Sequence, residues 1–216
     1  MPKLGVAEIR KPQLIDATME AINEVGLQKA NVVMISGYAG VSPAIINHHF
    51  GGKDKLLEAT MRHVLKELAD NIRQRLAEVP TDNVVARLDA IVRANFDTNQ
   101  VDGRVVKTWL TFWSQSMHRD DLFRLQRVNQ KRLLSYLMYE LKQVMPRTRA
   151  RQVSQTIAAL IDGIWLRGAL SPEGIDVIEA RQLIDGYIIE QLPVKLADRY
   201  DIVRLDVAPT FEAAGK

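Results

Sequence analysis

Cysteine is absent from all 216 residues, which excludes disulfides, thiolate metal sites and cysteine nucleophiles. No apolar run approaches the roughly 18 residues of a membrane helix, and Met1 to Arg10 lacks the apolar stretch of a secretory signal. A reducing cytoplasm is the expected location, with no membrane partner. Also missing are a P-loop, a GxGxxG after a strand and a GxSxG elbow. The paired carboxylates Asp120 and Asp121 are adjacent on a helix and diverge instead of converging on a substrate. The four histidines (His48, His49, His63 and His118) show no HExxH or comparable spacing. Neither an enzyme, a metal site nor a bound cofactor is therefore expected. Charge imbalance is small as well. Lys+Arg 29 against Asp+Glu 26 gives +3, which permits nucleic acid without demanding it. Through Lys66 the balance is eight basic to six acidic residues, so the N-terminal end is only weakly basic.

Helical periodicity is present nearly everywhere, and the expected fold is all-α. Ile15, Met19 and Ile22 recur at steps of four and three, flanked by Leu14 and Val25. Pro12 suits a first helical turn and Gly26 a C-terminal stop. A long helix is expected from Lys53, with Leu57, Met61, Val64, Leu68 and Ile72 on one stripe. After the break at Pro80-Thr81-Asp82, helices are expected over 84–97, 104–118, 120–145 and 148–170. The turn Ser171-Pro172-Glu173-Gly174 leads into a last helix ending near Leu192. The expected division is an N-terminal domain over 1–52, a helical body over 53–192 and a tail over 193–216. The segment Arg119 to Arg151 carries nine basic residues against three acidic and reads as a solvated face.

Residues 31–50 carry the functional signal. Two short helices flank the turn Ala39-Gly40-Val41-Ser42, where Gly40 can take positive φ and Ser42 can cap the helix opened by Pro43. This helix-turn-helix presents the N-terminus of its second helix to a major groove. The run AGVSPAIINHHFGGKDKLLEATM resembles the signature of the tetracycline-repressor (TetR) family. Within that family the chain is similar to the choline-responsive repressors of glycine betaine biosynthesis. The likeness rests on MPKLG, QLIDAT, AINEVG, IINHHF and LLEATM, then on LDAIVRANF, WLTFWSQSMH, RLQRVNQKRLLS and AALIDGIWLRGALS. The resemblance implies a three-helix DNA-binding domain and a ligand-binding, dimerising body. It also implies repression of choline-to-betaine genes, relieved by choline. The chain departs from the usual pattern at Gly37-Tyr38, where a basic pair is common, and at Pro43-Ala44, where Thr-Gly is common. These departures bear on operator sequence and affinity, not on fold.

Position and chemistry nominate the DNA contacts. Ser42, Pro43, Ala44, Asn47 and His48 lie along the recognition helix; Asn reads adenine bidentately and Ala touches a thymine methyl. Lys53 is the expected phosphate contact, with Tyr38 and His49 as further candidates and Lys3, Arg10 and Lys11 as a basic arm. The expected partner is a palindromic operator, bound by a homodimer.

Aromatics are only 6% of the chain, yet all three tryptophans fall in the body. Trp109, Phe112 and Trp113 are spaced i, i+3, i+4, with Met117 one turn on. Ala158, Asp162, Trp165 and Ala169 form a second stripe. Aromatic faces plus the Asp162 carboxylate suit a quaternary ammonium such as choline. The same stripe also suits an ordinary core, so both readings stand at this point. The rival functions are a regulator of the same type with another cationic or lipophilic effector, as in efflux control, and an interaction protein that has lost operator binding. Ala158, Ala159, Gly163 and Gly168 allow close helix approach, which makes the last two long helices the expected dimer interface.

Overall fold

The computed structural model describes residues 6–193 together with Leu196, and its elements there are all helical. In chain order they are α1 (Val6–Lys29), α2 (Val32–Tyr38), α3 (Pro43–Phe50), α4 (Lys53–Ala77), α5 (Val84–Asn95), α6 (Thr98–Val101), α7 (Gly103–Ser116), α8 (Asp120–Leu141), α9 (Arg147–Ala169) and α10 (Val177–Gln191). Lys3 and nearly all of the tail lie outside the described residues.

Three details correct the sequence reading. Pro12 stands inside α1 and not at its start, because the helix already begins at Val6. Arg10 and Lys11 accordingly belong to a helix, not to an extended arm. Gly26, at φ 71° and ψ 163°, kinks α1, and Leu27 to Lys29 continue past it. The third is α6, a four-residue helix between two Asp caps that was not foreseen.

Two buried clusters organise the chain. The smaller one joins Leu14, Ala17 and Ala21 of α1 to Ile35 of α2, Ile46 of α3 and Leu56 of α4. The larger one fills the body, and the predicted stripe Leu57, Met61, Val64, Leu68 and Ile72 lies wholly within it. Because Met19 and Ile22 also enter the larger cluster, α1 is shared between the two. It packs on α2, α4 and α7.

Gly168 is a close-approach glycine. A Cβ there would lie 2.9 Å from the Ile175 Cα, nearer than packed atoms come, so the connection into α10 would have to shift. Gly168→Ala is expected to cost about 1–3 kcal/mol through overpacking. Urea unfolding tests this, and an unchanged midpoint would refute it. Gly163 meets nothing within 4 Å in the protomer.

Candidate functional site

The first surface is built from α2 and α3. Asn31 caps α2 by accepting the Met34 N–H at 2.9 Å. The turn then takes φ 62° at Gly40, and Gly51 at φ 76° ends α3 in the left-handed region. Ile46 anchors α3 in the small core at full burial, which leaves Ser42, Pro43, Ala44, Asn47 and His48 exposed. Ser42 occupies the N-cap position, but its side chain makes no capping hydrogen bond, contrary to expectation. Pro43 follows at the first helical position, where its missing N–H costs no helical hydrogen bond, and Ser42 is exposed. His48 packs edge-on against His49, ring centroids 4.9 Å apart. The Tyr38 hydroxyl donates to the Glu24 carboxylate. That hydrogen bond is the main reason its phenol titrates above the ordinary value.

Lys53 has a local task that the sequence did not reveal. Its ammonium donates to the Leu27 carbonyl at 2.8 Å, closing α4 onto the kinked end of α1. Two N–H groups remain for a phosphate. Lys53→Ala is expected to weaken binding to specific and random duplexes alike and to lower the salt slope by about one. A loss confined to one operator base would contradict a backbone contact.

The second site is a cavity of about 270 Å³ in the body. Trp109 and Trp113 of α7 and Trp165 of α9 all line it. Their ring centroids are 5.4 to 6.3 Å apart and the rings are tilted by 52–71°, not stacked. Asp162 and Ala158 of α9 share the wall. Two nominated residues do not: Phe112 is fully buried in the core beside Trp109, and Met117, the C-cap of α7, is 73% exposed.

Asp162 lines the cavity and is exposed to solvent, yet protein surrounds it closely enough for burial to raise its pKa to about 6. No hydrogen bond or ion pair reaches it from another described residue. The other charged group on the wall is Arg132, whose guanidinium leans on the Leu65 carbonyl at 3.4 Å. Two further polar atoms of wall residues, Trp113 Nε1 and Gln126 Oε1, are closed off from water and lack a partner. Orphans of this kind cost about 1–3 kcal/mol each until something satisfies them.

The sequence reading missed the amides. Asn95 at the end of α5 and Gln100 of α6 are buried and line the cavity. Polar residues without a motif carry no signal of their own, and α6 was itself unrecognised. The reading also missed the connection between the two sites. From α7, which carries two of the tryptophans, Lys107 donates to the Asn23 carbonyl at 2.8 Å and Arg104 lies 3.7 Å from Glu20. From the start of α8, Arg119 meets Asp54 in the first turn of α4 at 3.2 Å. The helices that line the cavity, α7 and α8, thus hold α1 and α4, on which α2 and α3 of the first surface pack.

Comparison with known proteins gives a consistent result. The family described as "Bacterial regulatory proteins, tetR family" matches residues 14–60, and "BetI-type transcriptional repressor, C-terminal" matches residues 84–193. The chain is 55% identical over 192 residues to the HTH-type transcriptional regulator BetI of Vibrio vulnificus, covering 89% of this chain and 97% of that protein. To the BetI of Burkholderia mallei it is 52% identical over 193 residues, covering 89% and 98%. Among solved structures, a transcriptional regulator from Pseudomonas aeruginosa PAO1 superposes with TM-score 0.75 at 26% identity, covering 92% of this chain and 96% of that one. A regulator from Saccharomonospora viridis, solved in complex with choline, gives 0.73 at 20% identity, covering 84% and 96%.

Proposed function

The chain belongs to the TetR family, in its BetI-type branch of transcriptional repressors, and from that premise we propose that it is a cytoplasmic homodimer controlling choline-to-glycine-betaine genes, released from a palindromic operator by choline or a closely related quaternary ammonium. Family members are regulators and not enzymes. The observation that carries the effector reading is the meeting of three tryptophan rings and one unpaired carboxylate on a single small cavity. A quaternary ammonium has no N–H to donate, so it is recognised by π faces and a counter-charge, each face contributing about 0.5–2 kcal/mol. The Saccharomonospora viridis regulator, solved in complex with choline, is a precedent on the same fold.

Dimerisation is assigned to α9 and α10. They expose Leu166, Leu170, Ile178 and Leu183, with Gly163 open to close approach. Paired about a two-fold axis, two copies of α3 would meet successive major grooves about 34–36 Å apart. Effector and operator then oppose each other reciprocally through α7 and α1, with a coupling of about 1–3 kcal/mol, or roughly 5–150-fold.

The test is a titration of the palindromic region upstream of the gene, with and without millimolar choline. Specific binding weakened by choline is the expected result. Binding indifferent to choline would discard the effector and favour another cationic or lipophilic ligand. No specific binding would discard the repressor's operator and leave the interaction-protein reading. Trp113→Ala is expected to raise the choline concentration for half-release about tenfold. An equal loss of operator affinity would count against its place in the cavity.

A further inference from the structure

We propose that Gln100 reads the uncharged, polar end of the effector and makes the cavity selective for a hydroxyl-bearing quaternary ammonium. This assignment rests on the effector reading given above.

The geometry begins with α6. Asp97 caps this short helix, accepting the Asn99 N–H at 3.3 Å, and Asp97 is itself held by the Arg75 guanidinium of α4. The Gln100 backbone N–H returns to the Asp97 carbonyl at 2.8 Å. The residue is therefore fixed at both its cap and its backbone. Its side chain lines the cavity at 3% exposure and makes no hydrogen bond to any described residue.

Its amide atoms are not among those sealed from water, so they stay open to the cavity and to whatever fills it. Its neighbours are differently placed. Asn95 has committed its amide N–H to the Ile91 carbonyl at 2.8 Å. Gln130 and Gln155 are exposed at the opposite extreme of burial, while Asp162 also lies on the solvent-reachable side. Trp113 Nε1 and Gln126 Oε1 are closed off from water, whereas the deeply placed Gln100 amide remains open to the cavity, with Asp162 the outer polar group.

The two ends ask for different chemistry. An amide presents one acceptor and a donor pair, and a hydroxyl both donates and accepts, so it satisfies both atoms of Gln100. Tetramethylammonium has methyl groups at every corner and leaves the amide unpaired. A carboxylate-bearing zwitterion accepts from the amide but has no hydrogen to return. It also brings a second negative charge into a 270 Å³ space that already holds Asp162. The cavity so arranged responds to the alcohol and not to the acid derived from it by oxidation.

The experiment follows tryptophan fluorescence of the full-length protein titrated with choline, tetramethylammonium and glycine betaine. All three tryptophans of the chain line the cavity, so occupancy is read directly. The intact protein is expected to prefer choline to each of the others by roughly tenfold or more. In Gln100→Leu the choline-to-tetramethylammonium ratio is expected to fall to within about twofold. Gln100→Asn keeps the amide but withdraws it by one methylene, so an intermediate ratio is expected. It carries the test if the leucine variant does not unfold cooperatively. A ratio unchanged in both variants, with both cations still binding, overturns the Gln100 assignment alone. Failure of choline to bind the intact protein overturns the effector reading and this assignment with it.

Discussion

Asp162→Asn is expected to weaken choline binding by roughly 10–100-fold while making the effector-free protein more stable near neutral pH. Both effects have one origin. Burial raises the Asp162 pKa from 3.8 to about 6. The folded chain therefore binds its proton more tightly than the unfolded chain does. Between about pH 4 and 6 the native state holds more protons, so stability falls as pH rises through that window and stays at the lower level above it. A neutral asparagine removes the cost of ionisation. It also removes the cation's only counter-charge on a wall whose other charge, Arg132, is positive. In the intact protein, choline affinity is expected to be full above about pH 7 and to decline as pH falls through 6, because the protonated acid no longer attracts the cation. Fluorescence titrations at several pH values and thermal melts of both proteins decide the matter. A pH-independent affinity in the intact protein, or a less stable Asn variant, would sink the counter-charge assignment.

This trade of stability for binding was only partly legible in the sequence. The stripe Ala158, Asp162, Trp165 placed the carboxylate beside an aromatic by helical period, and the structure puts all three on the cavity. The same logic over-reached on α7. At about 100° per residue, Phe112 lies about 60° to one side of Trp109 and Trp113 about 40° to the other. One face by spacing is therefore two flanks in space, and Phe112 turns into the core. Met117 fell at the helix end, where the period no longer decides direction. Long helices such as α4 were readable because five buried positions repeat along them. Thr98 to Val101 has too few residues for any period, so α6 and Gln100 were invisible. Lys53 shows the complementary limit of local reading. Its partner Leu27 is 26 residues away and offers only a backbone carbonyl, which every residue has.

The buried ion pair between α5 and α8 illustrates the same point and carries the largest expected stability effect. Arg87 Nε donates to Glu140 at 2.8 Å, and Arg87 Nη1 donates to the Leu76 and Val79 carbonyls at 3.0 and 3.3 Å. One guanidinium thus ties the end of α4 to α5 and α8, with Glu140 only 1% exposed. Burial pushes the Glu140 carboxyl up against the opposing pull of Arg87. Arg87→Met leaves that carboxyl with Gln143 Nε2, 3.1 Å away, as its side-chain partner. It also frees two carbonyls at the end of α4. The expected loss is about 3–5 kcal/mol, or a fall in Tm of roughly 6–20 °C. Glu140 would then have to protonate to remain buried. Its folded pKa rises further above the unfolded value, so the variant should lose more stability at pH 8 than near pH 4.5, the ordinary carboxylate value. Arg87→Met combined with Glu140→Leu removes both charges and is expected to recover most of the loss, since an apolar pair of similar volume often matches a buried ion pair. Denaturant unfolding of the single and double variants at the two pH values tests this. A double variant no better than the single one, or a pH-independent loss, would mean that packing and not the stranded charge sets the cost.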